Sequence, residues 1–427
     1  MTREFSIPYG RTTLHFTIPE AYAQVDVITA ADVPGAADPL AMVIRALDEP
    51  VGGVSLQSFA GARSAAIAVN DKTRPVPHEY LLPPLLERLE ALGLPPEAIT
   101  LVIANGTHTP MPPEEYERVV PPAILARYPV ISHDCDDREA MVYLGKTSRG
   151  TPVWVNRRYR EADLRLVVGN IEPHMFMGFS GGVKSAAVGV SARETIAHNH
   201  KMLTLPGARM NCYEENPLRM DVEEIGQMIG VHFALNAILN GRKTIVKAIA
   251  GDPLAVMQAG IPLVREIAVT PVAAPYDLVI ASSGGAPKDI NFYQAQKALV
   301  PAAMVARDGG TVILVAACPE GAGSAVFERF MSDGQVSSMQ EVLERFAREE
   351  FQIGKHKAYL VARDAVRVNV RLVSDMPPEA VRALLLTPAE SLQAAVDAAL
   401  AELPASARIA IMPAANAVVP MLRSGAQ

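Results

Sequence analysis

Cysteine and aromatic residues are both scarce in this 427-residue sequence. The three cysteines, Cys135, Cys212 and Cys318, lie far apart and form no CxxC pair. This spacing excludes a disulfide framework and a cysteine zinc knuckle, and it is typical of a protein from a reducing cytosol. Aromatics are only 5% of the residues whereas the AVILMFWYC set reaches 49%, so we expect a globular protein with an aliphatic core rather than a disordered chain.

Long hydrophobic runs and a surplus of positive charge are also absent. No stretch of about 18 uninterrupted apolar residues occurs, and the N-terminus lacks the apolar segment of a signal peptide. We therefore expect a cytoplasmic protein with no membrane partner. The net charge of −7 and the pI of about 5.8 argue against nucleic acid as a partner, but they leave room for a small anionic substrate in a local basic pocket.

Short aliphatic runs recur along the chain, and polar loops follow them. Such runs are typical of strands buried on both faces of a parallel sheet, and helical segments separate them. The pattern predicts an α/β fold with mainly parallel sheets flanked by helices, in which ligands bind at the carboxyl ends of strands. A helix is predicted at 85–92, with Pro83 and Pro84 at its start. The predicted strands are 64–69, 100–104, 164–168, 277–281, 310–315 and 407–412.

The length predicts two or perhaps three domains, since one domain typically takes about 100–200 residues. A Pro-rich, uncharged segment at 269–275 is the predicted boundary. We expect an N-terminal domain of residues 1–270, rejoined by a C-terminal strand at about 407–427, and a second domain of residues 271–406. The working picture is two domains with a cleft between them.

Three of the nine histidines lie where chemistry is expected. His108 and His174 each follow a predicted strand in a turn fixed by Gly or Pro, where a neutral imidazole can act as base or acid. A single histidine in such a turn is more often a hydrogen-bonded loop residue, but two at separate strand ends favour function. His198 and His200 would splay apart on a helix, so only one of them is predicted as a metal ligand.

The densest glycine cluster is Gly-Phe-Ser-Gly-Gly-Val-Lys-Ser at residues 178–185. Consecutive amides in such a loop can bind an anion. A nucleoside triphosphatase is disfavoured, because Val183 stands where a Walker A loop needs glycine before the lysine. A plain turn would not need Lys184, whose amine can form a covalent adduct with an electrophilic cofactor or substrate.

Two further places offer groups for an anionic substrate. Arg74, directly after a predicted strand, can grip a carboxylate with two N–H groups, although a solvated loop arginine is an equally good interpretation. Gln294 and Lys297 follow a Gly-rich turn and are three residues apart. A helix beginning there would put them on one face, from which they would enter the cleft from the second domain.

Taken together, these blocks resemble the nickel-dependent lactate racemase family of 2-hydroxyacid racemases and epimerases. The blocks occur in order over about residues 66–300, and the match over 171–185 is nearly continuous. They are Asp71-x-Thr73-Arg74-Pro75, Gly106-x-His108, Ile171-Glu172-Pro173-His174, Gly178-Phe179-Ser180-Gly181-Gly182-x-Lys184-Ser185, Asn199-His200 and Gly284-Gly285-x-Pro287-x-Asp289-x-Asn291-x-Tyr293-Gln294-x-x-Lys297.

The resemblance implies a 2-hydroxyacid racemase or C2-epimerase with two α/β domains and the active site between them. The implied cofactor is nickel in a pincer nucleotide (a pyridinium-3-thioamide-5-thiocarboxylate mononucleotide) joined to Lys184 through a thioamide, with His200 as a nickel ligand. His108 and His174 would be the acid/base groups. Partners would be a small 2-hydroxy acid and cofactor maturation proteins, and a homo-oligomer stays open. The implied substrate-binding residues are Arg74, Tyr293, Gln294 and Lys297, and the implied nucleotide-binding residues are Asp71, Gly181, Gly182 and Ser185.

The implied reaction fits elementary chemistry. Removing a proton from C2 would create a carbanion beside an anionic carboxylate. Moving the hydrogen as hydride, after a base takes the hydroxyl proton, gives a planar 2-keto acid instead. Two bases on opposite sides, one for each enantiomer, then explain two histidines rather than one.

Departures from the family pattern leave the substrate open. Val183, Thr109 and Val188 stand where members often have Arg, a basic residue and Pro. Lactate, a longer aliphatic, a dicarboxylic and a sugar-derived acid therefore all stay candidates. His356 is expected either to line the cleft or to lie on an exposed polar loop.

Two other functions are considered. A non-catalytic binder or carrier of the nickel nucleotide would need Lys184 and His200 but not both bases. A metal-dependent hydrolase would use His174, His198 and His200, but the sequence has no evident general-base carboxylate to accompany them.

Overall fold

The computed structural model describes residues 1–74 and 76–422. Pro75, the last residue of the Asp71–Pro75 block, and residues 423–427, the end of the predicted C-terminal strand, lie outside the described residues. The strands are β1 Thr2–Tyr9, β2 Thr12–Pro19, β3 Val25–Val27, β4 Ala65–Asn70, β5 Ile99–Ala104, β6 Val130–Ser132, β7 Met141–Lys146, β8 Pro152–Asn156, β9 Leu164–Asn170, β10 Pro173–His174, β11 Gly178–Phe179, β12 Phe233–Leu239, β13 Ile245–Gly251, β14 Val269–Val272, β15 Tyr276–Ser282, β16 Ala306–Val315, β17 Asn369–Val373, β18 Thr387–Ala389, β19 Ile409–Met412 and β20 Val419–Leu422.

Helices alternate with these strands along most of the chain. They are α1 Pro39–Asp48, α2 His78–Ala91, α3 Pro122–Leu125, α4 Arg157–Glu161, α5 Lys184–Ala187, α6 Arg193–Lys201, α7 Pro217–Ile229, α8 Pro253–Ala268, α9 Phe292–Ala295, α10 Leu299–Val305, α11 Ala325–Ser332, α12 Met339–Arg348, α13 Lys355–Ala365, α14 Pro378–Ala383 and α15 Leu392–Leu400. The chain divides into two compact units, which we name the central unit (Asp32–Ile267) and the terminal unit (Met1–Ala31 with Ala268–Gln427).

The central unit is built on a sheet with strand order β13-β12-β9-β4-β5-β6. All neighbours are parallel except β12 and β13, which are antiparallel. The middle strand β4 is buried from Ala65 to Val69, because helices and loops cover both faces. Its aliphatic side chains pack with those of α2 in one hydrophobic core. The predicted α/β fold with a mainly parallel sheet is confirmed in this unit.

The terminal unit has a parallel sheet with strand order β18-β17-β16-β15-β19-β3. The antiparallel hairpin β1–β2 packs Ile7, Phe16 and Ile18 into the core formed by β15 and β16. Both chain ends therefore contribute to this unit.

The predicted boundary lies close to the observed division after Ile267, but the two chain ends were assigned to the wrong unit. Strand β19 pairs with β15 and β3 rather than with a strand of the central unit. All four residues of β19 are buried, so this strand needs a neighbour on each side. The segment expected as a linker instead forms β14, which pairs in parallel with β20.

Helix α2 also begins earlier than predicted. It starts at His78, so Pro83 and Pro84 lie inside the helix rather than at its first turn. Leu81 and Leu82 are fully buried, and packing this extra apolar turn compensates for the backbone hydrogen bonds that the two prolines cannot donate. Within the described part of the chain, no helix has both the length and the apolarity needed to cross a bilayer.

Candidate active site

Three neighbouring parallel strands of the central unit end at one edge of its sheet. β4 leads into Asp71, β5 leads into the loop that ends at His108, and β9 leads into Glu172 and His174. Because the carboxyl ends of parallel strands meet at the same edge, these loops lie side by side. A cleft of about 680 Å³, open to solvent, forms there. The predicted site residues that line it are Asp71, Arg74, His108, His174, Gly181, Lys184, Ser185 and His200.

His108 is paired with a buried carboxylate. Its Nδ1 lies 2.7 Å from Oδ2 of Asp71, which is 5% exposed. Burial disfavours the charge on Asp71, but hydrogen bonds from His108 and Thr73 and the charge of Arg74 outweigh it and lower the pKa of Asp71. A carboxylate at Nδ1 fixes the imidazole so that Nε2 bears the lone pair. Asp71, predicted to help bind a nucleotide, thus also orients His108.

Phe176 packs against both His174 and His200. The Phe176 ring centroid lies 4.6 Å from that of His174 and 5.3 Å from that of His200, each with an edge-on geometry. The Phe176 carbonyl accepts a hydrogen bond of 2.9 Å from Asn216 Nδ2. The Met177 amide donates to Nδ1 of His174 at 3.3 Å, which places the ring proton of neutral His174 on Nε2.

Glu172 gathers positive charge beside the cleft. Its carboxylate lies 3.0 Å from Nη1 of Arg74 and 3.8 Å from Nζ of Lys243. Burial alone would raise the pKa of Glu172, but the charges of Arg74 and Lys243 outweigh burial and lower it. Arg74, predicted to bind a substrate carboxylate, therefore already has one carboxylate partner. Its guanidinium has five N–H groups, so donors remain for a second anion.

Two buried side chains fix the glycine-rich loop at residues 178–182. Arg219 is fully buried and donates to the Gly181 carbonyl at 3.1 Å. Asn236 Oδ1 accepts a hydrogen bond of 2.7 Å from the Gly182 amide. Because both partners are buried polar groups, breaking either contact would leave an unsatisfied group in the core. The loop that precedes Lys184 is therefore held in one conformation.

Lys184 itself is only 9% exposed. Burial is the main reason why its pKa lies well below the ordinary value for lysine, and the charges of Arg74 and Arg219 lower it further. Glu172 acts in the opposite direction without reversing the effect. This environment favours the neutral amine, which is the form of lysine that attacks electrophiles.

We expect acetic anhydride to acylate Lys184 of the cofactor-free protein at lower pH than Lys247, an exposed lysine on β13. A lowered pKa means that the amine loses its proton, and becomes reactive, at lower pH. Peptide mass mapping after brief labelling across a pH series measures both sites at once. Arg74→Gln should move the Lys184 profile to higher pH and Glu172→Gln to lower pH. Coincident profiles for Lys184 and Lys247 would contradict this environment.

His198 and His200 do not form a metal chelate. Both lie on α6, where a two-residue spacing splays the side chains. His198 Nδ1 lies 2.9 Å from Thr151 Oγ1. Among the described residues, three His, Cys, Asp or Glu side chains bring their ligand atoms within 4.8 Å of one another only at Asp134, Cys135 and Asp136. A hydrolase centre built from His174, His198 and His200 is therefore not supported.

Tyr293, Gln294 and Lys297 belong to the terminal unit. Asn291 Oδ1 caps α9 by accepting from the Gln294 amide at 3.1 Å, and a 3₁₀ turn that contains Lys297 follows α9. Lys297 Nζ donates to Gln294 Oε1 at 2.6 Å, so these two predicted substrate-binding side chains are adjacent. Burial raises the pKa of Tyr293 to about 12, which keeps its hydroxyl protonated.

His356 does not lie on an exposed polar loop. It is 7% exposed in the first turn of α13, and the Gly354 amide donates to its Nδ1 at 3.1 Å. The interpretation as a loop residue is wrong because the helix begins at Lys355, one residue before it.

Several supporting residues were not singled out from the sequence. They are buried polar groups that contact the predicted site residues rather than lining the cleft themselves. One signal was available: Arg219 and Glu223 are four residues apart on α7 and form an ion pair of 2.6 Å. The supporting residues are Glu172, Phe176, Arg219, Asp221 and Asn236.

Comparisons with known families and relatives agree over nearly the whole chain. The lactate racemase N-terminal domain matches residues 9–211, and the lactate racemase C-terminal domain matches residues 272–419. The lactate racemase of Thermoanaerobacterium thermosaccharolyticum is 31% identical over 420 residues, 97% of this chain and 98% of that protein. The lactate racemase of Lactiplantibacillus plantarum is 31% identical over 415 residues, 95% and 97% of the two chains.

Solved structures agree with the observed fold. The structure of the lactate racemase apoprotein from T. thermosaccharolyticum superimposes with a TM-score of 0.90 at 30% identity, covering 99% of this chain and 100% of that one. A Thermotoga maritima protein from a structural genomics programme superimposes with a TM-score of 0.66 at 17% identity, covering 93% and 100%. The second similarity concerns the fold alone.

Proposed function

Since this chain belongs to the lactate racemase family and is a racemase, we propose that it inverts C2 of a 2-hydroxy acid with a nickel pincer nucleotide as cofactor. One observation carries this proposal. A single cleft gathers the imidazoles of His108 and His174 together with the buried amine of Lys184 and the imidazole of His200. A non-catalytic carrier would not need both His108 and His174, and family membership favours the enzyme.

The residues of the cleft fit this cofactor. The neutral amine of Lys184 suits a covalent link to an electrophilic group. Ser180 is 4% exposed and lines the cleft, and its Oγ has no hydrogen-bond partner among the described residues, so it can bind a ribose or phosphate oxygen. Gly181 has φ of 93°, and a Cβ there would lie 2.8 Å from Ile171 Cγ1, so only a bare backbone fits this loop.

These features assign the cofactor contacts that we propose. Lys184 would be the tether, and His200 would be a nickel ligand, since imidazole is a common nitrogen donor for nickel. The remaining nucleotide contacts would come from Asp71, Ser180, Gly181, Gly182 and Ser185. When bound, the cofactor supplies an acceptor and donor for hydride, and the chain supplies orientation and proton transfer.

The two histidines have different proton positions in this structure. Asp71 accepts from His108 Nδ1, so Nε2 of His108 can take the proton of the substrate hydroxyl group. The Asp71 carboxylate then stabilises the imidazolium that forms. His174 presents an N–H at Nε2 to the oxygen that becomes the 2-keto group. Return of a proton from an imidazolium completes the inversion, and the two histidines exchange roles for the opposite enantiomer.

The substrate carboxylate needs a cation in a site of low dielectric. Arg74 lines the cleft, and we propose that it binds this carboxylate with the guanidinium N–H groups that Glu172 does not use. Gln294 and Lys297, with Tyr293, are proposed to contribute substrate contacts from the terminal unit. Their shared hydrogen bond presets the Gln294 and Lys297 side chains.

We expect protein produced together with the cofactor maturation proteins and nickel to remove the optical activity of at least one 2-hydroxy acid. L-Lactate and longer aliphatic, dicarboxylic and sugar-derived acids form the test panel, and chiral chromatography measures both isomers. Protein produced without the maturation proteins is the matched control. A preparation that carries a Lys184 adduct and nickel but changes no member of the panel would contradict the proposal.

A further inference from the structure

Helix α7 contains a carboxyl group that is fully buried away from the cleft. Asp221 is 0% exposed, and within residues 1–74 and 76–422 no Lys, Arg or His nitrogen lies within an ion-pair distance of it. Three donors satisfy it instead. Thr147 Oγ1 donates to Oδ1 at 2.6 Å, and Thr151 Oγ1 and Asn199 Nδ2 donate to Oδ2 at 2.9 and 2.8 Å. A buried carboxyl group tolerates this location only because these hydrogen bonds replace water.

Two of the three donors connect Asp221 to the last turn of α6. Asn199 does so directly, and its Nδ2 also donates to the Leu218 carbonyl at 3.0 Å. Thr151 does so indirectly, since its single hydroxyl hydrogen goes to Asp221. Its oxygen must then accept from His198 Nδ1, which lies 2.9 Å away. The side chains of His198 and Asn199 are thus both fixed to the same carboxyl group.

The next residue along α6 is His200, which lines the cleft. Each residue of an α-helix turns the side-chain direction by about 100°, so fixing residues 198 and 199 sets the direction of residue 200. We infer that Asp221 is a positioning residue that holds His200 in the orientation needed for nickel, acting through Asn199 and through Thr151 and His198. This inference rests on the proposed function, in which His200 is a nickel ligand.

A purely structural role for Asp221 predicts a different set of outcomes. Thr147 and Thr151 provide a matched pair, because both donate to Asp221 and both are at most 5% exposed. Only Thr151 also contacts a side chain of α6. Thr147→Val and Thr151→Val make the same change in shape and each remove one hydrogen bond to the same carboxyl group. If Asp221 served stability alone, the two variants would differ only as their melting temperatures differ.

The test uses holoprotein produced with the maturation proteins and nickel, for the wild type, Thr147→Val, Thr151→Val and Asp221→Asn. Intact mass measures the Lys184 adduct, a chromogenic chelator measures the rate of nickel release, and thermal melting measures stability. We expect Thr151→Val and Asp221→Asn to keep the adduct but to release nickel about 10- to 100-fold faster, the range typical of lost outer-shell contacts to metal ligands. Thr147→Val should release nickel at the wild-type rate despite a similar fall in melting temperature.

Equal release rates for the two threonine variants would overturn the inference, as would rates that simply follow melting temperature. If Asp221→Asn does not fold, the threonine pair still decides the question. Wild-type protein with neither adduct nor nickel would instead refute the proposed function, and the inference with it. A wild type loaded with adduct and nickel, with unchanged release in Thr151→Val, would refute the inference alone.

Discussion

Replacing Lys184 with methionine will remove the covalent adduct and lower racemisation at least about 10³-fold, because without a tethered cofactor the chain has no group that accepts hydride. Methionine has a similar length and suits the buried position, so the fold should survive. Lys184→Arg should fail equally, since a guanidinium keeps the charge but is not a nucleophile. The measurements are intact mass after co-production with the maturation proteins and a chiral assay of the product.

Lys247→Met is the matched control for this substitution. Lys247 is an exposed lysine of the same unit and does not line the cleft. Its replacement should leave both the adduct and the racemisation rate unchanged. A Lys184→Met variant that racemises at the wild-type rate would show that covalent attachment at this position is not needed.

The second large effect concerns the two imidazoles. His108→Asn and His174→Asn should each lower kcat about 10²- to 10⁴-fold, the usual contribution of a positioned acid or base. Both variants should retain the Lys184 adduct and nickel, because neither histidine is the proposed tether or metal ligand. Asp71→Asn should have a smaller effect than His108→Asn, since Asp71 acts on the substrate hydroxyl only through His108.

Chiral assay, intact mass and nickel content, measured on the same preparations, separate lost acid/base function from lost cofactor. His15→Asn is a suitable control, because His15 lies exposed on the β1–β2 hairpin. Wild-type turnover in either the His108 or the His174 variant would rule out its role as an acid/base group. Loss of nickel in the His174 variant would point to a different role for that residue.

Local sequence patterns predicted the middle of each sheet well. The runs at 64–69 and 164–168 became β4 and β9, because a continuous aliphatic run has few other ways to be buried. The patterns did not show which sheet a short edge strand joins. β3 pairs with β19, which lies almost 400 residues further along the chain, and nothing in Val25–Val27 encodes that partner. The wrong assignment of both chain ends follows from this.

The candidate site shows the same distinction between local and distant information. His108, His174, Lys184 and His200 were predicted because each lies in a short motif, and the structure brings all four to one cleft. The roles predicted for these residues stay predictions. Their supporting groups could not be predicted, because a buried residue such as Asp221 has meaning only through partners 22 to 74 residues away in sequence.

The central claim is that His108 and His174 carry only the hydroxyl proton, and that the hydrogen on C2 never passes to them or to water. Racemisation of a substrate labelled with deuterium at C2, in ordinary water with fully loaded enzyme, tests this directly. Mass spectrometry of the isolated opposite enantiomer should show that the deuterium is retained at C2 over many turnovers. Loss of the label to solvent at each inversion would mean that a side chain removes that hydrogen as a proton, and it would contradict the account.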